Sequence, residues 1–307
     1  MTDFSDLMER VEKYNTLKSE GKLSREREGA LDTFNEVMDL LESGELRTAE
    51  PTDNDWQVNT WVKQGLMLGF PLGNVVVYNG CTDIHFADKD TFPLRKIDEN
   101  AGFRVVPPAA GIRRGSHVGQ GVILMQHGYA NVGANIGDRT MVEGLAGSCC
   151  QIGEDSHLSD NTTIGGVLDP IGAYPVILGK NVFLGENSGV TEGTRLNDLV
   201  TLASGVHITR STPVIDPIRG LAYTARGTQE LHRIMIKPEA ALFICRVHDR
   251  VLVEKDPSYG PEIPMGAVVI PGTAISSTGT LKVTPMVTKY INSLDERSYA
   301  LEEALRS

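Results

Sequence analysis

The sequence predicts a β solenoid: a parallel β-helix of hexapeptide repeats, preceded by an N-terminal α-helical domain and followed by a short C-terminal segment. Three observations carry this prediction. Aliphatic residues recur every six positions through the middle of the chain. Glycine is abundant, at 32 of 307 residues, while aromatics make up only 6%. Residues 4 to 70 instead carry apolar side chains at helical spacing.

The N-terminal domain is taken as residues 1–101. Phe4, Leu7, Met8, Val11 and Tyr14 recur at a period near 3.6, as an amphipathic helix requires. Ala30, Leu31, Phe34, Val37, Met38 and Leu41 do the same, between a Ser24 cap and a Ser43-Gly44 stop. Trp61, Val62, Gly65, Leu66, Leu68 and Phe70 predict a third helix. These stripes read as core packing. Open ends of a solenoid expose strand edges, so a cover is expected at each end. The helical domain and a C-terminal helix or tail over residues 293–307 supply it.

The repeat occupies residues 102–292. Its aliphatic positions are Ile112, Val118, Leu124, Ala130, Ile136 and Val142, then Ile152, Leu158 and Ile164. They continue through Leu178, Leu184, Val190, Leu196, Leu202, Ile208 and Val214, and end at Ile263, Val269 and Ile275. Each unit makes one short strand and one corner, and its aliphatic residue stacks on the same position one turn away. The next position is often glycine (Gly119, Gly137, Gly153, Gly165, Gly179, Gly185), expected to relieve the backbone at corners. The fourth position on is small or β-branched, as in Ser116, Thr140, Ala146, Ser156, Ser188 and Val206. The sixteen units up to Val214, at three per turn, give roughly five turns, a prism on the order of 25 Å long. The phase breaks three times. The step from Val142 to Ile152 is ten where two repeats give twelve. The step from Ile164 to Leu178 is fourteen, which predicts an external loop over residues 165–177. Between Val214 and Ile263 the repeat disappears, an excursion over residues 215–261. Loops extruded from a rigid scaffold are where sites are built.

Composition excludes several classes. A net charge of -11 argues against nucleic-acid and anionic-membrane partners. Any anionic ligand must find a locally basic pocket. No apolar run is long enough for a membrane span, and the acidic N-terminus is wrong for a signal peptide, so a cytoplasmic protein is expected. Cys81, Cys149, Cys150 and Cys245 form no C-x-x-C pair and fit reduced thiols.

Longer strings narrow the reading. Gly102-Phe103-Arg104-Val105-Val106-Pro107-Pro108-Ala109-Ala110 enters the first coil, and Leu40-Leu41-Glu42-Ser43-Gly44-Glu45-Leu46-Arg47-Thr48-Ala49-Glu50 lies in the helical domain. Thr140-Met141-Val142-Glu143, Gly147-Ser148-Cys149-Cys150-Gln151-Ile152-Gly153 and Ile164-Gly165-Gly166-Val167-Leu168-Asp169-Pro170 follow, with Ile263-Pro264-Met265-Gly266-Ala267-Val268-Val269 near the end. Together they resemble the tetrahydrodipicolinate N-succinyltransferase family, including its divergent paralogue in tabtoxin biosynthesis. The resemblance implies a homotrimer of left-handed parallel β-helices with active sites between subunits. It implies transfer of a succinyl group from succinyl-CoA to a ring-opened amino dicarboxylate, a step towards diaminopimelate and lysine. The acyl-CoA is a co-substrate, and no tightly bound cofactor is expected.

Acyl transfer from a thioester to an amine needs a proton acceptor, donors for the oxyanion and alignment of two substrates. No Gly-x-Ser-x-Gly elbow and no Cys/His signature is present, so direct attack in a ternary complex is the simpler scheme. The resemblance implies that Glu192 is the general base. Glu143 holds the substrate amine or shares in proton transfer, and Arg104 pairs with a substrate carboxylate. It also implies CoA contacts at Gly166, Ala203 and Ser204, with Lys289 meeting a phosphate. His117, His127, His157 and His207 lie in the coils and read as structural or exposed. No H-x-x-x-x-H spacing is present, so no metal site is expected.

The sequence departs from the family pattern in three places. Glu143 stands where the family has Asp, the Val142–Ile152 coil is short, and residues 215–261 are longer than in lysine-pathway members. Arg210, Arg219, Arg226, Arg233 and Lys237, in or beside that last stretch, make it locally basic, and it is expected to cover the groove near CoA, reshape the acceptor pocket or decorate the surface. Acetyl-CoA in place of succinyl-CoA, an acceptor in specialised metabolism, an amino-sugar acceptor and a non-catalytic β-helix scaffold stay open as alternatives.

Overall fold

The computed structural model describes residues 3–53, 55–79, 85–107, 110–237, 242–254, 259–275 and 281–294. Three helices open the chain: α1 (Ser5–Ser19), α2 (Arg27–Ser43) and α3 (Thr60–Leu72). Their apolar stripes meet, burying Leu7, Val11, Phe34, Val37, Met38, Leu66 and Leu68. Helix α2 stops at Gly44, whose φ of 82° is left-handed. The expected Ser24 cap is not made. Leu23 is buried and draws Leu23–Glu26 into a 3-10 turn, so the N-cap falls two residues later, on Glu26, without a side-chain cap, and α2 starts at Arg27.

The repeat folds into three parallel sheets of two-residue strands. Face one stacks His117–Val118, Asn135–Ile136, Gln151–Ile152, Ile177–Leu178, Arg195–Leu196 and Glu262–Ile263. Face two stacks Arg104–Val105, Ile123–Leu124, Met141–Val142, His157–Leu158, Phe183–Leu184 and Thr201–Leu202. It then continues into the long strand Ala267–Ile275. Face three stacks Gly111–Ile112, Tyr129–Ala130, Leu145–Ala146, Thr163–Ile164, Gly189–Val190 and His207–Ile208. Each strand pairs with the one a full coil later, which makes the solenoid. Faces one and three hold six strands each. Val105 on face two and Ala146 on face three are inward positions that the six-residue step passed over. The second residue of each strand points inward, so Leu124, Ile136, Val142, Leu158, Ile164, Leu184 and Val190 form one closed apolar column.

Most of the corners follow one rule. The third residue after the inward aliphatic takes a left-handed φ, and the fourth is small and buried. Arg139, Cys149, Asp155, Asn161, Asn181 and Leu199 have φ between 56° and 66°. They precede buried Thr140, Cys150, Ser156, Thr162, Val182 and Val200. The glycines that directly follow the aliphatic residue do not serve this turn, because none of them has a positive φ. They are there for close approach between coils. A Cβ on Gly153 would lie 2.4 Å from the backbone of Gly179, and one on Gly137 would lie 2.5 Å from the Glu154 nitrogen. Gly153→Ala is therefore expected to destabilise the protein by about 1–3 kcal/mol, read as a lower denaturant midpoint with an unchanged slope.

The short coil has a simple cause. Val142 is followed by Glu143-Gly144 and then by the strand Leu145–Ala146, a two-residue corner in place of four. Ala146 is thus an inward strand residue, paired with Ala130 and Ile164, and not a corner residue as its spacing suggested. Two other assignments change. Val214 starts an antiparallel pair with Leu221–Thr224, and face one resumes only at Glu262–Ile263. Ile275 ends the strand Ala267–Ile275, which turns away from the coil to pair antiparallel with Leu281–Tyr290. The excursion is itself a sheet, with Gly227–Lys237 and Leu242–Glu254 as its long antiparallel strands. The expected C-terminal helix falls mostly on residues 295–307, outside the described residues, as do Cys81 and the Cys245 side chain.

The N-terminal layer packs on face one. Thr48 Oγ1 donates to the Cys149 carbonyl and accepts from Gln151 Nε2, and Glu42 O meets the His117 ring at 3.0 Å. Asn135, Gln151 and Ile177 are buried as a result. On face three the outward residues Leu145, Thr163 and His207 are exposed. No described helix is long and apolar enough to cross a membrane.

Candidate active site

A groove of about 560 Å³ runs along the corner between faces two and three. Glu143, His157, Phe183, Ala203 and Ser204 line it, with Ser159, Asp160, Gly185 and Glu186. The shortened corner shapes its lower end. Because that coil has two residues fewer, His157 stacks directly above Met141, and its Nε2 lies 3.0 Å from Glu143 Oε1. The imidazole also packs edge-on against Phe183 at 5.3 Å. One coil lower, His127 reaches past the short corner to Asp160, Nδ1 to Oδ1 2.7 Å. That hydrogen bond holds the Asp160 carboxyl below the usual range. Sequence reasoning read His127 and His157 as structural or exposed, and missed both pairings. The signal was the ten-residue step, which sets which side chains share a rung.

Arg104 begins face two, three rungs below His157 on the same sheet. At the other end, Lys289 is opposite Val268, and Val268 pairs with Thr201. Arg104, Glu143, Ala203, Ser204 and Lys289 are thus strung along one side of the prism, with Arg104, Ser204 and Lys289 exposed. Glu192 and Gly166 are not among them. Glu192 sits at the corner between faces three and one, after Gly189–Val190. Its Oε2 accepts a hydrogen bond from the Arg210 backbone N–H at 3.1 Å. Gly166 lies at the same corner one coil below, where the external loop departs, and its Cβ position is 2.8 Å from the Ser148 nitrogen. Face three separates Glu143 from Glu192 within one chain, and two rungs, roughly 10 Å, separate them along the axis.

The external loop is tied down by the N-terminal layer. The buried Lys63 ammonium donates to the Ala173 carbonyl at 2.6 Å, and the Tyr174 hydroxyl donates to the Trp56 carbonyl at 3.4 Å. Burial lowers the Lys63 pKa, opposed by Cys149 and Asp169 nearby. Cys149 and Cys150 are both fully buried. Burial pushes the Cys149 thiol up to about 12, against the attraction of Lys63, and raises Cys150 as well. The thiolate is the reactive form. The peptide carrying both cysteines is therefore expected to stay unmodified by iodoacetamide at mildly alkaline pH until denaturant is added, as read by mass spectrometry.

Coils of this kind with a polar groove along one corner define a hexapeptide-repeat protein. Residues 175–210 match the model "Hexapeptide repeat of succinyl-transferase". Residues 6–72 match the "Tetrahydrodipicolinate N-succinyltransferase N-terminal" model. The chain is 33% identical over 281 residues to the 2,3,4,5-tetrahydropyridine-2,6-dicarboxylate N-succinyltransferase of Idiomarina loihiensis, covering 88% of this chain and 87% of that one. It is 35% identical over 282 residues to the protein of the same name from Polynucleobacter asymbioticus, covering 89% and 88%. With that of Methylorubrum extorquens it shares 37% over 202 residues, 64% of this chain and 71% of the other. The chain belongs to the tetrahydrodipicolinate N-succinyltransferase family and is an acyltransferase.

Proposed function

We propose that this chain transfers a succinyl group from succinyl-CoA to the amino nitrogen of ring-opened tetrahydrodipicolinate, in the diaminopimelate branch of lysine biosynthesis, as a cytoplasmic homotrimer of left-handed β-helices. The observation that carries the reading is the groove that joins Glu143 and His157 at one end to Ala203 and Ser204 at the other. Acyl-CoA lies along it, held by backbone groups of successive coils and met by Lys289 at the phosphate end. Arg104 pairs with an acceptor carboxylate, since a guanidinium fork matches a carboxylate bidentately. Glu143, steadied by His157, orients the acceptor amine.

Glu192 is the general base. It comes from the neighbouring copy, because within one chain it lies across face three from Glu143. The exposed residues of face three support a neighbour there. The amine nitrogen attacks the thioester carbon, Glu192 takes the amine proton, and the C–S bond breaks to release CoA and the N-succinyl product. Gly166 of that neighbour borders the same cleft. Acetyl-CoA differs from succinyl-CoA only at the acyl end, beyond the groove.

The test is thiol release from succinyl-CoA and from acetyl-CoA, each with and without tetrahydrodipicolinate. Acceptor-dependent release with succinyl-CoA as the better donor is expected. Faster release with acetyl-CoA would name an acetyltransferase. No release with either donor would overturn the acceptor.

A further inference from the structure

The excursion over residues 215–261 ends where it re-enters the coil, beside the corner that carries Glu192. At that corner Glu192 and Gly193 have φ values of 56° and 70°. Among the described corners it is the one with two successive left-handed residues. A non-glycine residue in this region is strained and persists only when its surroundings hold it. The holding groups are visible. Gly260 N–H donates to the Gly193 carbonyl at 3.0 Å, and Arg195 N–H donates to the Pro261 carbonyl at 2.9 Å. Gly260 packs so closely that a Cβ there would lie 2.7 Å from the Thr194 nitrogen and 2.8 Å from the Glu192 carbonyl oxygen. Both are backbone atoms that no rotamer can move.

The preceding residue anchors this contact. Tyr259 is buried and stacks on Tyr174 of the external loop, with centroids 3.7 Å apart and planes 22° apart. Its hydroxyl donates to Asp55 Oδ2 at 3.1 Å, and Asp55 Oδ1 accepts from Arg195 Nη1 at 2.5 Å. Arg195 follows the Glu192 corner on face one. The external loop, the N-terminal layer and the excursion therefore converge on one turn.

We propose that Tyr259 and Gly260 are positioning residues for Glu192: the returning end of the excursion locks the strained turn that aims its carboxylate. This rests on Glu192 being the general base. It gives the excursion a part in the reaction, not a decorative one.

The test measures acceptor-dependent CoA release across pH for wild type, Glu192→Gln, Gly260→Ala, Tyr259→Ala and Tyr259→Phe, with KM for acyl-CoA. Gly260→Ala and Tyr259→Ala are expected to lower kcat on the order of 10- to 100-fold, since a misplacement near 1 Å has that effect. KM for acyl-CoA is expected to stay within about twofold, the pattern of a contribution made in the transition state. The acid limb of the kcat profile, absent in Glu192→Gln, is expected to move in both. Tyr259→Phe keeps the stack and removes only the hydroxyl, with its bonds to Asp55 and the Trp56 carbonyl, so it folds and shows a smaller loss in the same direction. Unchanged kcat and pH profile in the folded variants overturn the proposal. If Glu192→Gln itself turns over at the wild-type rate, the base assignment fails instead, and the two failures are told apart by that one variant.

Discussion

Glu192→Gln is expected to reduce acceptor-dependent thiol release by about 10²- to 10⁴-fold, the usual contribution of a positioned general base. The side chain keeps its size and loses its ability to take a proton. An amide oxygen can still accept the Arg210 N–H that Oε2 accepts now, so the turn keeps its conformation. The exposed position of Glu192 means that no buried partner is orphaned, and thermal stability is expected to stay near that of wild type. Acyl-CoA binding, measured by calorimetry, is expected to persist because the groove lies at another corner of the same prism. Loss of binding together with turnover would assign Glu192 to substrate capture and remove it from proton transfer.

Mixing two inactive variants is expected to restore activity. In the proposed homotrimer, Glu143→Gln and Glu192→Gln each disable every site. If each site takes Glu143 from one copy and Glu192 from the next, random exchange in equal amounts rebuilds about one quarter of the sites. The geometry makes this a sharp test, because face three stands between the two carboxylates of a single chain. Rate against mixing ratio, after unfolding and refolding together, is the measurement. No recovery at any ratio would put both residues in a site made by one chain, or take one of them out of the site altogether.

The coil was readable in advance because its interior is narrow. Only an aliphatic fits at Leu124, Leu158 or Leu184, and only a small residue fits at Ser156 or Ser188. The left-handed corner residue was not readable, since that position holds Arg139, Cys149, Asp155, Asn181 and Leu199 in turn. What they share is a backbone conformation, set by the turn and not by side-chain type. The close-packed glycines look like turn glycines in the sequence, because inter-coil contact leaves no periodic mark distinct from turn chemistry. The helices followed from their stripes, but α2 starts later than a Ser24 cap would have it, as the buried Leu23 pulls the chain into a tighter turn.

At the candidate site, motif likeness singled out Glu143, Glu192 and Arg104. It could not reveal the Glu143–His157 pair, which depends on coil length and not on local sequence. Nor could it foresee Tyr259 against Tyr174, a contact between residues 85 positions apart, brought together by a return of the chain with no repeat to guide it.

The two-residue corner at Glu143-Gly144 left every rung in register, with Leu145 still opposite Tyr129 and Thr163. Such a scaffold can be edited along two independent coordinates. Trimming or extending a corner resculpts the wall of a pocket without moving anything above or below it. Adding or deleting a whole coil works as a ruler, shifting one end of the groove against the other in steps of about 4.8 Å. Acceptor preference and cargo length can thus drift separately in descendants of one gene, with the hydrophobic column unaware of either change.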